Sequence, residues 1–394
     1  MKVKGFSAAA VQAGVRYPDR LDLGLIYSEV PAITAGMFTT NTVKAAPVLL
    51  GMERLGQGKA QAILVNSGNA NACTGEQGME TALATGAMAA QALGINEELV
   101  QIASTGVIGE QLNQAPFAQA MPALVEGLTA DGFHQVAEAI MTTDTVPKTA
   151  TATLILNGTE VHLFGMTKGA GMIMPDMATM LCFVLTDACI SQAALQEIVR
   201  TGVEQSFNQI TIDGDTSTND TVLVMANGAA QNSELNEQDQ PTLALFSDAL
   251  QDMFRDLALQ IVADGEGATK LVTIEVANAQ TKKEARIAAQ TIANSALVKT
   301  AFFGEDANWG RIIAALGRSS CYFQPERVSI AFDDALMVEN GLGLGKEAEE
   351  AASAVLRKKA FTVKVDLHQG SENAEAFTCD LSYDYVKINA DYRT

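Results

Sequence analysis

Chemistry in this chain has to be done with few imidazoles, because it carries three histidines, His134, His162 and His368. His134 sits in a helical pattern and His162 in a hairpin pattern, where a satisfied or outward-facing ring is the ordinary outcome. There is no HExxH and no Cys/His cluster, so nothing in the spacing points to zinc. The most unusual stretch is KGAGMIMPDMATML, from Lys168 to Leu181. Gly169, Gly171 and Pro175 make it permissive and easily bent, and the small Ala178 precedes Thr179. A threonine can be a nucleophile without histidine if the bond before it is cut. Its own freed α-amine, with a pKa of about 8, then takes the hydroxyl proton. Cutting that bond requires the Thr179 hydroxyl to reach the Ala178 carbonyl, which a bent approach and a small residue allow. Residue types alone leave a second account open, in which Thr179 opens a buried strand and the methionines fill gaps in a core.

Other candidates are weaker. Cys73, in NSGNANACTGEQG, has no recognisable histidine partner and reads as an inert thiol. The triplet GLGLGKE, Gly341–Glu347, fits neither nucleotide fingerprint, since Glu follows Lys346 where a phosphate loop has Ser or Thr. The loop DGDTSTND carries Asp213, Asp215 and Asp220 without calcium-loop spacing and reads as a polar turn.

The elements that must position these groups alternate between helix and strand. The strand-like runs are 60–65, 99–103, 182–185, 210–212, 221–226, 270–277, 327–332 and 361–367. Thr151–Gly165 alternates about Asn157-Gly158, the strongest short hairpin signal. Helical spacing covers 76–93, about 191–207 with Ser191 as N-cap, some twenty residues after Thr242, 283–293 and 346–358. Gly228–Thr242 is polar and reads as a surface loop. The mixture favours α/β or α+β layers over a pure βαβ array.

Composition sets the outer limits. At 394 residues the chain has room for two or three domains, and 48% hydrophobic residues can fill a large core. Its 26 basic and 46 acidic residues give a net charge of −20, which disfavours nucleic acid and anionic lipid as partners. Five scattered cysteines with no CxxC pair suit a reducing cytosol. No apolar run approaches the ~18 residues of a membrane span, and the alanine run near the N-terminus is too polar for a signal peptide.

One further comparison decides between the accounts of Thr179. KGAGMIMPDMATML resembles the self-cleavage motif of the ornithine acetyltransferases, also called bifunctional glutamate N-acetyltransferases, of arginine biosynthesis. AGMFTTN (35–41), VNSGNANACTG (65–75), STGVIG (104–109), IMTTDTVPK (140–148), DGDTSTNDT (213–221), DGEGATK (264–270), FGEDANWGRI (303–312) and the terminal INADYRT are similar to that family as well, in order. The resemblance covers essentially the whole chain.

It implies cleavage between Ala178 and Thr179 into an α segment (1–178) and a β segment (179–394), with about 282–394 a smaller C-terminal domain. Thr179 becomes the acetyl-carrying nucleophile. Thr105 and Gly106 form the oxyanion hole. Thr142 (or its neighbour Thr143), Lys168, Thr179, Glu266, Asn389 and Thr394 bind substrate. The implied fold is α/β, with helices flanking stacked mixed sheets as in self-cleaving N-terminal-nucleophile enzymes. The implied reaction moves acetyl from N2-acetylornithine to glutamate by a ping-pong route, with no cofactor or metal and acetyl-CoA as an additional donor in some members. Association as α2β2 or larger, in the cytoplasm, belongs to the same expectation. An aminopeptidase or amidohydrolase on the same scaffold, with water as acceptor, is the alternative.

Overall fold

Short apolar runs alternating with amphipathic helices form two mixed sheets in the computed structural model, which describes residues 2–174 and 180–391. The Ala178–Thr179 junction and Thr394 lie outside the described residues. The chain order of strands begins β1 (Phe6–Val11), β2 (Leu23–Phe38), β3 (Lys59–Asn66), β4 (Val100–Ser104), β5 (Lys148–Leu156), β6 (Thr159–Lys168) and β7 (Leu181–Thr186). Then comes β8 (Ile210–Thr211), which is diverted to the second sheet, and β9 (Thr221–Ala226), which returns to the first. Across the first sheet the order is β4-β3-β2-β9-β7-β6-β5, with β1 paired to β2.

The hairpin β5–β6 turns at Asn157 (φ 49°) and Gly158 (φ 83°). Both positive angles match the twist of the flanking strands, which is why this dipeptide fixes the register. Strands β6 and β7 are antiparallel neighbours, with Lys168 opposite Leu181. Strands β7 and β9 run parallel from Leu181 and Thr221. These central strands are covered on both faces, so they read as continuous apolar runs rather than as alternation. On one face Leu163, Cys182, Val184 and Val224 pack in a core with helices spanning Gln192–Glu204 and Gln240–Ala263. On the other, Phe164, Phe183 and Leu223 join Ile26, Ile63 and the helix Phe133–Ala139. Each fully buried Phe or Leu contributes roughly 1.5–3 kcal/mol.

The second sheet takes β10 (Leu271–Ala279), β11 (Ser329–Phe332), β12 (Ala335–Glu339), β13 (Leu342–Gly343), β14 (Ala360–Asp366) and β15 (Glu372–Cys379), in the order β13-β12-β11-β14-β10-β15-β8. It therefore starts upstream of residue 282. The helix Lys282–Ala293 lies against β10 and β15 through Ala285, Ala288, Ala289 and Ile292. The long Gln240–Ala263 helix touches β5 of the first sheet and β15 of the second. Mixed sheets flanked by helices are what the sequence implies.

One run without an assigned element resolves, and two local readings change. The alanine-rich Phe6–Val11 run is a strand paired with β2. The helix after Ser191 stops at Glu204, and a 3-10 turn covers Phe207–Gln209. The polar stretch ends earlier than Thr242: Asp239 accepts from Thr242 N and Pro241 fits the first turn, so the helix begins at Gln240. GLGLGKE is a short strand followed by a helix start at Lys346, not a phosphate loop.

Candidate active site

The parallel pair β3–β4 ends in the motifs NSGNA and STG, and their polar side chains lock the two turns together. Ser104 Oγ donates to Asn66 Oδ1 at 2.7 Å, and Asn66 Nδ2 donates to Asn69 O at 2.9 Å. Asn219 then ties the β8–β9 loop to both, donating to Ala70 O at 2.7 Å and Ser104 O at 2.8 Å. Thr39 and Asn41 hold the same loop from the end of β2, through Ser217 O at 2.7 Å and Thr216 O at 2.9 Å. Most buried polar groups in folded proteins are paired in this way. The separate motifs are thus parts of one framework.

Thr105 and Gly106 sit at its edge. Thr105 is 3% exposed. Its N–H goes to Asn66 O and that of Val107 to Gly68 O, while the Gly106 N–H between them has no partner among the described residues. Gly106 has φ +134°, and a Cβ there would meet Gly68 C at 2.3 Å, so backbone packing behind it demands glycine. A free amide beside a hydroxyl is the donor pair that a developing oxyanion needs.

Lys168, at the end of β6, is 2% exposed. Its Nζ donates to Thr142 Oγ1 at 2.8 Å and to Thr105 Oγ1 at 3.3 Å, with Asp144 Oδ2 at 4.0 Å. Burial lowers its pKa below the ordinary lysine value, and Asp144 works against that shift. Asp144 is itself committed, accepting from Lys148 Nζ at 2.6 Å, Gly169 N at 2.7 Å and Thr142 N at 3.0 Å. Burial pushes its carboxyl up, but Lys168 and Lys148 together outweigh that and hold it at about 2. Lys148 is shared with Asp264 at 2.5 Å.

The opposite wall is acidic. Glu266, 8% exposed, accepts from Asn389 Nδ2 at 2.7 Å, and its carboxylate occupies the space a Cβ on Gly171 would fill. Asp213 and Tyr385 stand beside it, and burial followed by the charges of Asp213 and Glu266 pushes the Tyr385 phenol up, so it stays protonated. Thr105, Gly106, Thr142, Lys168, Glu266 and Asn389 all line one cavity of about 200 Å³. Thr143 lines it as well, but the hydrogen bond from Lys168 goes to Thr142. A wider cleft of about 810 Å³, beside Arg255 and Glu375, contains none of them.

Asp144, Asp213 and Asn219 stand inside quoted motifs without an assigned role, and Tyr385 stands in none. Asp213 and Asp220 read as a polar turn, yet Asp220 is fully buried and Asp213 half-buried. The available signal is the run of polar residues leading straight into the apolar β9.

A mixed α/β chain whose pocket sets a buried ammonium against a carboxylate wall, beside a hydroxyl and a free amide, is an enzyme-type scaffold with charges of both signs to offer a small molecule. The comparisons are more specific. Residues 7–394 match the model of the ArgJ family, and the chain belongs to that family. It is similar to the arginine biosynthesis bifunctional protein ArgJ of Desulfotalea psychrophila, 57% identical over the full length of both chains. The protein of that name from Geobacter sulfurreducens is 52% identical, again over both full lengths. The crystal structure of ArgJ from Bacillus halodurans matches with a TM-score of 0.50 and 45% identity, covering 52% of this chain and 96% of that one.

Proposed function

We propose that this chain is the glutamate N-acetyltransferase of arginine biosynthesis, moving acetyl from N2-acetyl-L-ornithine to L-glutamate through an acetyl ester on Thr179. Membership of the ArgJ family and full-length relatives named as bifunctional enzymes of arginine biosynthesis support the activity. The observation that carries the site is the single cavity shared by Thr105, Gly106, Thr142, Lys168, Glu266 and Asn389.

The polarity of that cavity fits amino-acid substrates. A substrate α-carboxylate meets the Lys168 ammonium, which two hydroxyls hold closely and Asp144 reaches only at 4.0 Å. An ammonium group of ornithine lies toward Glu266, itself oriented by Asn389. Thr179 Oγ attacks the acetyl carbonyl, the oxyanion takes the Thr105 hydroxyl and the Gly106 N–H, and the amide C–N bond breaks as ornithine's nitrogen takes the proton. The amine of glutamate then attacks the ester, forming N-acetylglutamate and restoring the hydroxyl. Amide becomes ester and ester becomes amide without net oxidation, so no cofactor is required. Acetyl-CoA is a second donor in this reading. Thr179 arises by cleavage after Ala178, the two segments remain associated as α2β2 or larger, and the enzyme works in the cytoplasm. No helix among the described residues is long and apolar enough to cross a membrane.

Two measurements test the proposal together. Intact mass under denaturing conditions should give two fragments meeting at Ala178 and Thr179. Incubation with N2-acetylornithine should yield ornithine rapidly only when glutamate is present. Acetate released at one rate with or without glutamate would instead indicate a hydrolase. Acetyl-CoA with glutamate alone tests the second donor.

A further inference from the structure

Asp213 and Asp220 stand at the two ends of the loop that joins β8 to β9, and each carboxyl accepts backbone N–H groups from the stretch between β6 and β7. Asp213 Oδ2 accepts from Met172 N at 2.6 Å and Oδ1 from Ile173 N at 2.8 Å. Met172 has φ +57°, a left-handed conformation that a residue with a side chain rarely holds. Two successive N–H groups turned toward one acceptor make an anion cradle, and here the anion is the chain's own. Ile173 is fixed on its other side as well, since Ile212 N donates to its carbonyl at 2.8 Å and its side chain is fully buried.

At the far end, Asp220 Oδ1 accepts from Met180 N at 2.9 Å, and Thr221 N donates to Met180 O at 3.1 Å. Asp220 and Met180 are both buried. Burial pushes the Asp220 carboxyl well above its usual range, which suits a neutral acid serving as a fixed acceptor rather than a charge. One loop therefore holds the chain both before and after the Ala178–Thr179 bond.

We propose that Asp213 and Asp220 are positioning residues for self-cleavage, gripping Met172–Ile173 on one side and Met180 on the other so that Thr179 Oγ and the Ala178 carbonyl meet. This rests on the self-processing reading above. In that step Thr179 Oγ bonds to the Ala178 carbonyl carbon, the C–N bond breaks, and the Thr179 nitrogen takes the hydroxyl proton. Water then hydrolyses the ester, giving the Ala178 carboxylate and the free hydroxyl. An intramolecular reaction gains rate when the chain on either side of the reacting bond is ordered in advance. The grip also outlasts the cut. Gly171 and Met172 line the substrate cavity, and Asp213 keeps that wall in place when the first segment has become a separate chain.

The test follows full-length chain made in a cell-free pulse, with splitting timed on denaturing gels and fragments identified by intact mass. Asp213→Asn forfeits the charge and one of two acceptor oxygens, and should split at least tenfold more slowly with the circular dichroism and melting curve of the wild type. Met172→Gly added to it should bring splitting back to within about threefold, because glycine holds the left-handed turn without the carboxylate. A general folding defect would not be repaired at that one position. Asp213→Asn splitting at the wild-type rate overturns the proposal. If Asp213→Asn does not fold, the double variant decides: folded and splitting supports the grip, folded and whole overturns it. A wild-type chain that stays whole under the same conditions overturns the self-processing reading itself, so the two failures are distinguishable.

Discussion

The Lys168 ammonium is 2.8 Å from the Thr142 hydroxyl, yet its countercharge on Asp144 Oδ2 is 4.0 Å away. A buried cation held more closely by hydroxyls than by a carboxylate has unused capacity for an anion. Lys168→Met should raise KM for both amino-acid substrates by on the order of tenfold to a hundredfold, the size of a lost charge-assisted hydrogen bond. Because Lys168 also donates to Thr105 Oγ1, it leaves the Thr105 proton free to point into the cavity, so kcat should fall as well. Steady-state kinetics with each substrate varied in turn checks both effects.

The Thr105–Gly106 corner predicts a different signature. If Thr105 is an oxyanion donor as proposed, Thr105→Val should drop kcat by about 10²–10³ with KM nearly unchanged, while Thr105→Ser should keep most of the rate. Gly106→Ala should do worse, because its Cβ collides with the Gly68 backbone at 2.3 Å and no side-chain movement relieves that contact. Thermal melting separates the two, with Thr105→Val near wild type and Gly106→Ala clearly lower.

Asp144 links the site to pH. Its carboxyl is held at about 2 against an ordinary 3.8, so the charged form is favoured in the folded state. The stabilisation is complete above the ordinary value and is lost as pH falls from there through about 2. Its size is on the order of 2 kcal/mol. Asp144→Asn should cost about 3–5 kcal/mol near neutrality, since it strips a partner from two buried lysines. Unfolding curves should show the gap between wild type and variant shrinking below pH 4.

Glu266 should govern the ammonium end. Glu266→Gln retains the partner of Asn389 Nδ2 but removes the charge, so KM for N2-acetylornithine should rise roughly tenfold or more, with melting unchanged. Unchanged ornithine kinetics would relocate that end of the substrate.

What the sequence revealed follows a physical division. The hairpin at Asn157-Gly158, the Ser191 cap and the apolar β7 and β9 are decided by near neighbours, so local pattern suffices. The sixteen-residue β2 is not local. It pairs with β1 and β3 along one part and β9 along another, and Gly36 matters because Leu55 and Leu223 crowd it from across the fold. The same holds within the site. Thr105, Lys168 and Glu266 take their expected roles from their motifs, whereas Asp144 and Asp213, though inside motifs, become intelligible only when Lys168 and Met172 are seen to arrive from elsewhere. Tyr385 carries no local signal, and the Tyr383–Asp391 helix that presents it has no buried residue of its own.

The diversion of Ile210–Thr211 into the far sheet has a mechanical meaning. The nine residues that follow form a bridge from the edge of one layer to the centre of the other, and that bridge is also a flank of the chamber lined by Lys168 and Glu266. Any sliding of the layers past each other must stretch or slacken it, so the alignment of two distant slabs of protein and the width of a small chamber are one variable.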